Sequence, residues 1–215
     1  KSGGLKNGEV AQFKKPEGPN KESLTFPDVV HPHPDRVVRV KCGDDDLGYA
    51  IPCELGGKTG FLTNWHFFLQ NNSVDFHYRK SGKTEVFSTN RTYFEKHSHT
   101  QDIVFVACQL EKNKFFKISF EHDFSKMESV QMLKERNGKW ALTVGSLSQV
   151  LDQDGHYLVK NDTRAGDCGS YYFIDGAMPI GMHCATYGEN KRNCFVPFNP
   201  ATLAFLKQFV GVEKI

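Results

Sequence analysis

From Arg36 to Val196 the chain breaks into short apolar or alternating runs bounded by turn residues, and this rhythm constrains the fold most. A first series comprises Val37–Val40, Gly48–Ile51, Thr59–Leu62, Val74–Tyr78 and Ile103–Ala107, with Ser81–Gly82–Lys83 reading as a hairpin turn. A second comprises Ser129–Leu133, Trp140–Val144, Gln149–Leu151, His156–Val159, Tyr171–Ile174, Ile180–Cys184 and Cys194–Val196. Runs this short, with period-two or continuous apolar character, are strands. No amphipathic helices alternate with them, so the pattern predicts an all-β chain built as barrels or sandwiches. The one good helix signal is at the C-terminus. There Asn199 can cap, Pro200 suits the first helical position, and Leu203, Leu206, Phe209 and Val210 share a face.

A length of 215 residues suits one large domain or two small barrels sharing an interface. The expected division is an arm over 1–34, a first barrel over 35–112, a connector over 113–128, a second barrel over 129–198 and a helix over 199–215. Hydrophobic residues at 39% and charged residues at 24% exclude wholesale disorder. A net charge of +2 without a Lys/Arg stripe argues against a dedicated nucleic-acid binder. The longest apolar runs are too short to cross a bilayer, and no secretory leader or membrane role is expected.

Two stretches, Gly57–Lys58–Thr59 and Gly82–Lys83–Thr84, imitate the end of a phosphate-binding loop. The required first glycine falls on Pro52 and His77, so both read as turns. Nine His and six Cys raise the question of metal, with His31/His33 and His97/His99 as pairs. No C-x-x-C or H-x-x-x-H element accompanies them, so neither a metal nor any other cofactor is expected. The cysteines read as free thiols. The competing reading, a secreted serine-type hydrolase or disulfide-bonded binding protein, requires them to pair.

The chemical signal lies in Thr163–Arg164–Ala165–Gly166–Asp167–Cys168–Gly169–Ser170. Glycines on both sides of a Cys allow a sharp bend that presents the thiol and aims consecutive amides at one spot. Acyl transfer needs that combination of a nucleophile and donors for the oxygen that gains charge. A thiol also needs a base, and the base an orienting partner. His66 follows the strand ending at Thr63, and Asp102 immediately precedes the run from Ile103, so each can project from a strand end.

Gly166–Asp167–Cys168–Gly169 resembles the Gly-x-Cys-Gly turn of viral 3C-like cysteine proteases, including the picornaviral 3C enzymes. Gly181–Met182–His183 is similar to their Gly-x-His strand, and Thr163 falls where they keep a pocket threonine. The stretch from Thr163 to Leu206, with Val196–Pro197 before the helix, also resembles potyviral nuclear-inclusion proteases. The likeness spans roughly residues 35–210 and follows the chymotrypsin order of His66, Asp102 and Cys168. It implies two antiparallel six-stranded β-barrels, chymotrypsin-like, closed by a C-terminal helix.

The resemblance further implies that Cys168 attacks the scissile carbonyl, that His66 is base and then acid, and that Asp102 orients the imidazole. Asp75 and Glu95 stand as alternatives for the third member. Backbone amides of Gly166, Asp167 and Cys168 would form the oxyanion hole. A neutral His183, oriented by Tyr172 and assisted by Thr163, would receive a substrate Gln, with Glu second. The implied setting is processing of a viral polyprotein in the host-cell cytoplasm. An additional RNA-binding face is the second reading, because Lys112, Lys114, Lys117 and Lys126 interleave with Phe115, Phe116 and Phe120.

Overall fold

A computed structural model describes residues 34–175, 178–187 and 192–212, and among these it forms twelve strands and two short α-helices. The expected N-terminal arm, with His31 and His33, lies outside the described residues, except that Pro34 opens a 3-10 turn to Arg36. The first six strands are β1 (Val38–Cys42), β2 (Asp45–Leu55), β3 (Lys58–Thr63), β4 (Val74–Lys80), β5 (Lys83–Thr89) and β6 (Val104–Ala107). They form one antiparallel sheet in the order β5-β4-β1-β2-β3-β6.

The second six are β7 (Ser129–Arg136), β8 (Lys139–Leu151), β9 (Tyr157–Lys160), β10 (Tyr171–Phe173), β11 (Gly181–Tyr187) and β12 (Arg192–Pro197). They close into a barrel in the order β10-β11-β12-β9-β8-β7. The fold is chymotrypsin-like and all-β, with one qualification to the expected pair of barrels. The N-terminal sheet curls as a half-barrel without a β5–β6 ladder, because β5 is exposed along most of its length and β6 is only 4 residues long.

The hairpins follow from local chemistry. Ser81 and Gly82 (φ 51° and 76°) join β4 to β5, and Asn137 and Gly138 (φ 53° and 77°) join β7 to β8. Positive φ at both central residues matches the right-handed strand twist. Trp140–Val144 and Gln149–Leu151, read as separate runs, are one 13-residue strand. β8 pairs with β7 from Lys139 to Ser146, then shifts register between Leu147 and Leu151 as it turns to β9. A change of partner at the barrel corner interrupts the apolar pattern without ending the strand.

Val38, Val40, Phe61, Leu62, Phe76, Val104 and Phe105 form the N-terminal core, and Val130, Met132, Tyr172 and Phe195 part of the C-terminal one. Each such side chain contributes about 1.5–3 kcal/mol by leaving water. The C-terminal helix is shorter than the signal suggested: α2 covers Pro200–Leu206, capped by Asn199 Oδ1 on the Thr202 amide at 2.9 Å, and a 3-10 turn continues to Phe209. Residues 213–215 lie outside the described residues. Leu206 and Phe209 are fully buried, and Phe209 packs its ring against Phe94 and His99 of the N-terminal half. The last element therefore clamps the first sheet.

Candidate active site

His66 opens a one-turn helix that sequence reading did not foresee, α1 (His66–Gln70), placed just beyond β3. No side chain of its own segment caps this helix. The Asp102 carboxylate does so from 36 residues away, Oδ1 accepting from the His66 amide at 2.9 Å. The other oxygen, Oδ2, lies 2.6 Å from His66 Nδ1. Asp102 is fully buried and His66 nearly so, which leaves the carboxylate little choice of partner. With Nδ1–H committed to Asp102, Nε2 is the nitrogen left for the thiol of Cys168.

The alternative acids are engaged elsewhere. Asp75 accepts from the Gly43 amide at 3.3 Å, and Glu95 pairs with Arg91 at 3.5 Å.

Burial pulls the His66 pKa down, but the Asp102 charge, supported by Cys168, carries it up to about 10. Burial likewise pushes the Cys168 thiol up, and hydrogen bonds and charge from His183 and His66 bring it down to about 6. The sulfur thus sits between two imidazoles, 3.8 Å from the Cys184 carbonyl oxygen. An arrangement of this kind favours thiolate and imidazolium at neutral pH.

The bend carrying Cys168 is held from both halves. Tyr49 of β2 donates its amide to the Cys168 carbonyl at 2.8 Å, and Gly169 donates to the His183 carbonyl at 3.0 Å. The approach to β2 is so close that a Cβ on Gly169 would fall 1.8 Å from the Tyr49 carbonyl oxygen, and one on Gly48 would fall 2.3 Å from that of Cys168. Gly169 has φ +87° besides.

Beneath the bend, Asp167 is buried in a two-pronged ion pair with Arg136 (2.8 and 2.6 Å) and also accepts the Arg164 amide at 2.8 Å. The expected trio of oxyanion donors is corrected here. The Asp167 amide is spent on the Arg164 carbonyl at 3.0 Å, closing the turn. The amides of Gly166 and Cys168 have no partner among the described residues, and Gly166 adopts φ +95°.

His183 on β11 is buried, its Nδ1 3.4 Å from the Tyr172 hydroxyl on β10. That hydroxyl donates to Asn161 Oδ1 at 3.1 Å. Asn193 Nδ2 donates to the same oxygen at 2.6 Å, and its own Oδ1 accepts from Thr163 at 3.0 Å and Thr186 at 2.7 Å. Thr163 therefore belongs to a polar network that runs behind His183. Burial lowers the His183 pKa and contact with Cys168 raises it, for a net rise.

Sequence reading missed Asn161, Asn193, Asn64, Arg136 and Gly48. Asn64 is fully buried and joins the halves, its Nδ2 3.2 Å from the carbonyl oxygens of both Asp102 and His183. An Asn set immediately before the apolar run Cys194–Val196 was the available hint for Asn193; the others leave no local signal. Of the residues named for an RNA-binding face, Phe116 and Phe120 are buried and Lys114 pairs with Asp35 and Glu111, whereas Lys112, Lys117 and Lys126 are exposed.

No family model matches the chain, and no curated protein matches it. Solved structures do resemble it. A human pathogenic astrovirus serine protease superposes with a TM-score of 0.54 at 17% identity, covering 80% of this chain and 94% of that one. The tobacco vein mottling virus protease gives 0.55 at 17% identity, covering 83% and 84%. The active form of the Rv3671c protease of M. tuberculosis gives 0.57 at 14% identity, covering 84% and 83%. At these identities the likeness establishes the chymotrypsin-like fold. The structures it resembles are proteases, viral and bacterial.

Proposed function

We propose that this chain is a virus-encoded cysteine endopeptidase that cuts a polyprotein after Gln, with Glu second, in the host cytoplasm. The observation that carries this reading is the buried His66–Asp102 pair, Nδ1 to Oδ2 at 2.6 Å, acting on the Cys168 thiol, whose pKa His183 and His66 bring down. Likeness to astroviral, potyviral and bacterial proteases supports the peptidase class. Thiol chemistry is supported by Cys168 at the bend, whereas Ser170 lies past it and is buried.

In this reading Cys168 attacks the scissile carbonyl as thiolate. Amides of Gly166 and Cys168 receive the oxyanion; losing such a donor costs about 3–4 kcal/mol in the transition state. His66, protonated and held by Asp102, gives its proton to the leaving amine. It then takes one from the water that cleaves the thioester. His183 and the network through Tyr172, Asn161 and Asn193 face the side chain preceding the cut.

The test is cleavage of a peptide library by wild type and Cys168→Ala. Cutting after Gln by the first and none by a folded second is expected. Undiminished turnover by Cys168→Ala, or cleavage with no preference before the cut, overturns the reading.

A further inference from the structure

Three fully buried donors outside the proposed catalytic set converge behind the pocket. The Cys184 and Cys194 sulfurs are 3.3 Å apart, and with a ring nitrogen of His156 they lie within 4.8 Å of one another. Each comes from a different part of three adjacent strands: Cys184 from β11, Cys194 from β12, and His156 from the residue before β9. Cys184 sits where the β11–β12 register slips, between His183 and Ala185, and this slip brings it beside Cys194. One nitrogen of the imidazole is unsatisfied. His156 Nδ1 is buried with no hydrogen-bond partner, 3.6 Å from Asp152 Oδ2, while Nε2 is 3.4 Å from the Asp102 amide.

We propose that Cys184, Cys194 and His156 form a site for a thiolate- and imidazole-preferring divalent ion, zinc foremost. Two sulfurs and one imidazole are a donor set that zinc favours, and three protein ligands leave a fourth position for water. Zn–S bonds of about 2.3 Å in tetrahedral geometry place two sulfurs about 3.8 Å apart, so the pair opens by about 0.5 Å to bind. A disulfide at about 2.05 Å requires it to close by about 1.2 Å. Nε2 already accepts from the Asp102 amide, so Nδ1, the nitrogen without a hydrogen-bond partner, is the one left for the ion, with Asp152 Oδ2 3.6 Å beside it. Binding expels both thiol protons.

Such an ion staples β9, β12 and β11 together beside His183 and, through His156, beside the Asp102 backbone. The sequence spacing concealed it, since no pair of its ligands is closer than 10 residues. The inference stands independently of proteolysis, and its test reads metal rather than turnover.

Protein is produced in zinc-supplemented medium as Cys168→Ala, so that the sulfur between His66 and His183 cannot capture the ion. It is then assayed by elemental mass spectrometry. One zinc per chain is expected, falling at least tenfold when Cys184→Ser and Cys194→Ser are added and unchanged by Cys42→Ser. Because buried substitutions can unfold the chain, X-ray absorption on the unsubstituted site gives a second measure, expected to show two sulfur neighbours and at least one imidazole. A folded chain without zinc, a zinc sphere lacking sulfur, or a Cys184–Cys194 disulfide in place of metal overturns the proposal.

Discussion

At the scale of single residues, the sulfur of Cys168 lies between two imidazoles, and its titration follows from that. With the thiol at about 6 and His66 at about 10, thiolate and imidazolium coexist between those limits. Below about pH 6 the sulfur keeps its proton, and above about pH 10 His66 has lost the one it would give. Alkylation by iodoacetamide is expected to rise with a midpoint near pH 6, against about 8.5 for a free thiol. Asp102→Asn removes the charge that sustains the imidazolium, so it shifts that midpoint upward; an unmoved midpoint would detach Asp102 from the ion pair. His183 gives a second pH effect. Its pKa is raised beside the thiolate, so the protonated ring gains weight as pH falls and favours a carboxylate over an amide. The ratio of kcat/KM for Glu over Gln peptides is expected to increase toward acid. A ratio flat with pH would remove His183 from the pocket.

At the scale of elements, the bend that carries Cys168 separates two roles of glycine. Gly166 needs only its backbone conformation, because nothing lies within 4 Å of a Cβ there. Gly169 has both a left-handed φ and the Tyr49 carbonyl against it. Gly166→Ala is expected to cost about 1–3 kcal/mol of strain while the chain still folds. Gly169→Ala must also push β2 away from the bend, so its loss of thermal stability and of thiol reactivity should both be larger. Equal melting temperatures for the two variants would contradict the close approach. The bend was legible in the sequence, because Gly166–Asp167–Cys168–Gly169 makes its turn from its own residues. Its anchor was not, because Gly48 stands far away in the chain and looks like any strand glycine. The single strand β8 was misread as two for a related reason: its pairing partner changes midway, and periodicity reports a face rather than a neighbour.

Across the whole molecule, the two halves share one apolar cluster, and a few further contacts cross between them at the site. Asn64 touches the backbone of both Asp102 and His183, Tyr49 holds Cys168, and Phe209 returns the C-terminus to the first sheet. Within the second half, Arg136 neutralises Asp167 under the bend, with Lys134 3.9 Å away. Arg136→Met leaves that carboxylate buried with its main partner gone, which costs about 3–5 kcal/mol. Urea unfolding is expected to show this loss together with reduced alkylation of Cys168; a stability change below about 1 kcal/mol would mean that Lys134 suffices. By itself the sequence determined most of the strands, the Ser81–Gly82 hairpin, the cap of the last helix and the bend that presents a thiol. Each of these follows from periodicity and steric preference over a few residues. Only the tertiary structure decided which carboxylate meets His66, which amides at the bend stay unpaired, and that His183 as well as His66 acts on the sulfur. It also decided that two cysteines and a histidine from separate strands share one buried point. Those outcomes depend on contacts between distant segments, and the chain carries no local mark of them.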